Sequence, residues 1–100
     1  MSVLVTFRID GDTAQFRRFI DSGDERLLAI RDAAQAAGAI HHRFGVGDGF
    51  VMVIDEWASA DAFQAFFSGN PDLPGVMQDA GAQSAPDILI TEAISSPDQF

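Results

Sequence analysis

Phe50-Val51-Met52-Val53-Ile54-Asp55-Glu56-Trp57 is the stretch that decides the fold. It is rich in β-branched and aromatic types, and its length suits a strand better than a helix. Side chains alternate across a strand, so Phe50, Met52 and Ile54 point one way while Val51, Val53 and Trp57 point the other. Both faces are apolar, whereas an antiparallel sheet in a lone domain usually wets one of them.

Upstream of this strand, Gly47-Asp48-Gly49 offers the positive φ angles of a tight hairpin, and Ala39 to Val46 reads as the antiparallel partner. Val3 to Ile9 repeats the two-faced pattern, with Val3, Val5, Phe7 and Ile9 on one side and Leu4 on the other, and stops at the turn cluster Asp10-Gly11-Asp12. Between these strands Asp12 suits an N-cap, with Gln15 three residues on and Phe16, Phe19 and Ile20 at helical spacing. Ser22 with Glu25 makes a second start signal before Leu27, Ile30, Ala34 and Ala37, so the helix is expected to break near Ser22-Gly23 and to stop at Gly38.

Downstream, Ser59 caps a helix carrying Phe63, Phe66 and Phe67 on one face, and Gly69 ends it. Pro71 or Pro74 opens a further helical turn or two over Leu73, Val76, Met77 and Ala80. Ile88-Leu89-Ile90 is the last strand. The order is β-α-β-β-α-β, an α+β fold in one domain over residues 1–95, with 96–100 as a C-terminal tail. Helices can cover only one face of such a sheet. Leaving the other bare would expose a larger apolar patch than soluble monomers tolerate, so a homodimer through the sheet face is expected.

Composition sets the outer limits. A chain of 100 residues, 47% of them hydrophobic, has one core and should fold. Fifteen Asp and Glu against six Arg and no Lys give a net charge of −9, which repels polyanions and argues against nucleic acid and anionic membranes as partners. The chain has no Cys, so thiolate chemistry and disulfides are excluded. The segment Met1 to Ile9 has neither a basic region nor a long apolar one, and a cytoplasmic address is the default expectation.

His41 and His42 are the only histidines, and adjacency on a strand sends them to opposite faces. They are therefore poorly placed to share a metal, and one His with Asp55, Glu56 or Asp48 is a thin ligand set, so no metal is expected. An inward His would be the natural acid or base near neutrality. Asp55 and Glu56 also point to opposite faces, which excludes a paired-carboxylate device, and pairing with Arg8 or Arg43 is their expected fate. No nucleophile elbow, P-loop or dinucleotide fingerprint is present. Phe7, Phe44, Phe50, Trp57, Phe63, Phe66, Phe67 and Met77 could wall a pocket for a flat ligand, although such a set is more often plain core.

The passage Val53-Ile54-Asp55-Glu56-Trp57, followed by Ser59-Ala60-Asp61-Ala62-Phe63-Gln64-Ala65-Phe66, together with the order of elements, resembles the antibiotic-biosynthesis-monooxygenase-like proteins of the dimeric α/β barrel superfamily. The resemblance spans nearly the whole chain. It implies a ferredoxin-like monomer whose sheet pairs with that of a second copy as a barrel, with a ligand pocket between sheet and helices. Superfamily members include cofactor-independent monooxygenases of polycyclic aromatic phenols and haem-degrading enzymes. The haem branch is excluded on residues, because its pattern has an Asn on the first strand, a Trp in the helix after the Ser cap and a later His. Here stand Phe7, Phe66 and no His beyond His42. The cofactor-free branch implies a substrate that reduces oxygen once deprotonated, with His41 or His42 as base and Arg43 steadying the anion. Phe7, Phe44, Trp57, Phe63, Phe66, Phe67 and Met77 would form the pocket, and no cofactor is expected. The competing reading is a non-catalytic interaction or stress-related domain whose apolar faces serve folding and dimerisation alone.

Overall fold

The computed structural model describes residues 1–100. Its elements are β1 (Val3–Asp10), α1 (Thr13–Asp21), α2 (Glu25–Ala37), β2 (Ala39–Val46), β3 (Phe50–Trp57), α3 (Ala60–Gly69), α4 (Leu73–Asp79) and β4 (Asp87–Glu92). The strands form one antiparallel sheet in the order β2-β3-β1-β4. This is a ferredoxin-like α+β arrangement in which each helical segment is split in two.

Local chemistry explains the boundaries. Asp12 caps α1 by accepting the Gln15 amide at 3.0 Å, and Ser59 caps α3 through the Ala62 amide at 3.0 Å. The expected break between α1 and α2 is present, but the capping residue is Asp24, whose carboxylate accepts the Arg26 amide, and not Ser22. Ser22 is still tied to α1, where its hydroxyl donates to the Phe19 carbonyl, so it cannot serve the next helix. The turn needs Gly23 at φ 73°. Gly38 ends α2 at φ 124°, and its carbonyl accepts the Ala58 amide at 2.9 Å, which fixes the helix end against the end of β3. The last strand runs longer at both ends than Ile88–Ile90, because β1 supplies partners from Arg8 to Val3.

Helices cover one sheet face. At its centre, Val5, Phe7, Val53, Trp57 and Phe63 form the buried core. Helix α3 lies directly on it, with Trp57 and Phe63 rings edge-on at 5.5 Å and Phe63 stacked on Phe67 at 5.4 Å. The other helices sit less deeply. Helix α1 buries Phe16 and Phe19, α4 buries Val76, and α2 buries no residue at all. Arg26 knots this outer group together, donating to Asp24 and to Asp79 of α4 at 2.8 Å each.

The opposite face is bare. Leu4, Ile54 and Leu89 on it are 43%, 54% and 67% exposed. A folded monomer of this mass should expose about 5,500 Å², and this one exposes 6523 Å². No helix is long and apolar enough to cross a membrane.

Candidate active site

A cavity of about 540 Å³ opens between the covered face and the helices, with Leu27, Leu28 and Ile30 of α2 on its border. Phe7, Phe44 and Trp57 border it from the strands, and Phe63, Phe66, Phe67 and Met77 border it from α3 and α4. The wall is mainly hydrophobic, so the few polar groups on it decide what chemistry it can hold.

The principal group is built by register. Antiparallel pairing places His42 of β2 opposite Asp55 of β3 on the covered face, and Trp57, two residues further along β3, shares that face. His42 Nδ1 lies 2.7 Å from Asp55 Oδ1, and Trp57 Nε1 donates to Asp55 Oδ2 at 3.0 Å. Asp55 is only 8% exposed, and both of its oxygens are thus engaged. The His42 ring stands edge-on to Phe44 at 4.7 Å, and Phe44 in turn meets Phe16 at 5.1 Å. The imidazole is therefore held by a hydrogen bond on one edge and an aromatic ring beside it, while its side chain keeps 51% exposure.

The structure corrects the expected fate of Asp55, which pairs with His42 and Trp57 rather than with Arg8 or Arg43. Arg8 alternates to the bare face, where Nε donates to Asp10 at 2.9 Å and the guanidinium lies 4.0 Å above the Phe50 ring. Phe50 is thus a bare-face residue outside the pocket wall. Arg43 is in register with exposed Ile54 on that same face and does not border the cavity, so its charge is not positioned to steady an anion there. His41 is in register with Glu56, also on the bare face, although it counts among the residues bordering the cavity. No group of three or more His, Cys, Asp or Glu is gathered closely enough to hold a metal ion.

Asp55 as the partner of an inward His was missed at the level of sequence, yet a signal existed. With Val46 opposite Val51 across the hairpin, counting four residues outward on each strand sets His42 opposite Asp55.

No family model matches the chain, and no curated protein does. Solved structures do. The cofactor-independent oxygenase SnoaB from Streptomyces nogalater, in a mutant form, superposes with TM-score 0.65 at 16% identity, covering 98% of each chain. A monooxygenase from the gene ActVA-Orf6 of Streptomyces coelicolor, in complex with nanaomycin D, gives 0.64 at 16% identity, over 99% of this chain and 91% of that one. A dimeric ferredoxin-like protein from an uncultured marine organism gives 0.67 at 16% identity, over 99% and 93%. At such identities the likeness is one of architecture. The chain has the ferredoxin-like fold of the antibiotic-biosynthesis-monooxygenase-like structures, the group its sequence resembles.

Proposed function

We propose that the protein is a homodimeric, cofactor-independent monooxygenase that takes an aromatic or polycyclic phenolic substrate into the cavity between sheet and helices. The observation that carries this reading is His42, tethered at Nδ1 to a nearly buried carboxylate and set in an otherwise apolar wall. His42 Nε2 removes a proton from the bound substrate. The resulting carbanion or phenolate gives one electron to dioxygen, the radical and superoxide combine at carbon as a peroxide anion that takes the proton back from the His42 imidazolium, and the hydroperoxide so formed loses water to leave a quinone. The aromatic wall orients the ring system and keeps bulk water away from the anion. The solved relatives with oxygenase activity support the assignment by analogy of fold.

Anthrone tests it, since its oxidation consumes one O₂ and yields anthraquinone and one water. Oxygen uptake matched one-to-one by anthraquinone, and reduced about 100-fold or more in His42→Gln, is the expected result for loss of a general base. Uptake no faster than in buffer would leave the protein as a non-catalytic module. The dimer rests on the bare sheet face. The exposed area exceeds that of a typical monomer by roughly 1,000 Å², close to what one partner contributes to a standard interface. Native mass spectrometry should therefore give a dimer.

A further inference from the structure

We propose a second activity for the same cavity, proton transfer without oxygen: keto–enol interconversion and hydrogen exchange at an acidic C–H of a cyclic or aromatic ketone. This inference shares with the oxygenase reading the assignment of His42 as base, but nothing in it requires dioxygen.

The geometry fixes the tautomer. As a carboxylate, Asp55 can only accept, so the short contact to His42 requires the hydrogen on Nδ1 and leaves the lone pair of the neutral imidazole on Nε2. The indole Nε1 of Trp57 is a donor only, and its bond to Oδ2 stops the carboxylate from turning. Trp57 is 2% exposed, packed against Phe63 and Phe66, and so cannot follow a moving Asp55. Asp55 and Trp57 are positioning residues for the base.

Among the other basic groups on the wall, Asp12 is committed to capping α1 and Asp10 accepts from Arg8. His41, the second imidazole at the border, is in register with Glu56 on the bare face and has no carboxylate fixing its ring. His42 is thus the one base on the wall that a buried carboxylate orients. The step balances within the site: the C–H bond breaks, the proton goes to Nε2, and the electron pair becomes the enolate. The imidazolium so formed lies 2.7 Å from the Asp55 oxygen. It returns its proton to oxygen, giving the enol, or to carbon. Since half of the His42 side chain meets solvent, the proton trades with water between the two steps.

The experiment uses the whole protein and anthrone in anaerobic D₂O, with loss of the benzylic CH₂ signal followed by proton NMR. Wild type should exchange at least about tenfold faster than buffer, and His42→Gln should fall to the buffer rate. Asp55→Asn and Trp57→Phe, each shown by circular dichroism to be folded, should lower kcat with little change in KM. Oxygen-dependent oxidation without anaerobic exchange would overturn this inference and leave the oxygenase reading standing. Failure of both reactions would sink both, and exchange that survives His42→Gln would remove His42 from both.

Discussion

The two faces of this sheet are made from the same kinds of residue and have opposite fates. On the covered face Val5 and Trp57 are 0% and 2% exposed, and the one buried charge, Asp55, is satisfied on both oxygens. On the bare face Leu4, Ile54 and Leu89 stay open, with Arg8, Arg43, Glu56 and Asp87 interspersed by register. A strand greasy on both sides thus encodes two separate tasks. One face closes over a core and a cavity, and the other leaves its apolar side chains uncovered.

Substitutions can break that contrast. Trp57→Ala should have the largest effect, destabilising by about 3–5 kcal/mol in urea unfolding, since it removes core packing and the donor to Asp55 together. Ile54→Arg, placed beside Arg43, should weaken the dimer about 100-fold, equivalent to about 2.8 kcal/mol, while leaving protomer stability within about 0.5 kcal/mol. Sedimentation velocity separates the outcomes, and a dimer as tight as wild type would refute the seam. Asp55→Asn should cost about 1–2 kcal/mol in the same urea assay, because one acceptor oxygen of a buried pair is lost.

The smallest effect lies at the start of α2, where Arg26 also ties to α4. Hydrogen bonds from Arg26 hold the Asp24 carboxyl down from 3.8 to about 2. A depressed carboxyl contributes stability that is fully present above its unfolded value and is lost as pH falls through its folded one. The stability difference between wild type and Asp24→Asn should therefore shrink between pH 4 and pH 2, read from thermal midpoints in low salt. A difference constant across that window would show that the clasp contributes nothing.

Much of the architecture was legible because it rests on local signals: the alternation in Phe50–Trp57, the Gly47–Gly49 hairpin and the caps Asp12 and Ser59. The α2 cap was misread because Ser22 and Asp24 both fit the rule, and only the three-dimensional turn shows that Ser22 is spent on α1. The inward histidine and its partner were harder. Periodicity says that His41 and His42 part company and the hairpin count sets His42 opposite Asp55, but which of them enters depends on which face of Phe50–Trp57 the helices cover, and both faces are apolar. Arg43 follows from the same fact, since once His42 faces in, Arg43 must face out.

These neighbours on opposite faces also offer the sharpest test. Long-range ¹⁵N–¹H NMR correlation spectra of uniformly labelled protein, recorded at a pH where both rings are neutral, report which nitrogen of each histidine carries hydrogen. The account predicts that His42 is protonated at Nδ1, bonded to Asp55, with a free lone pair on Nε2. A His42 protonated at Nε2 would turn its lone pair away from the substrate and contradict the central claim that this cavity holds a base.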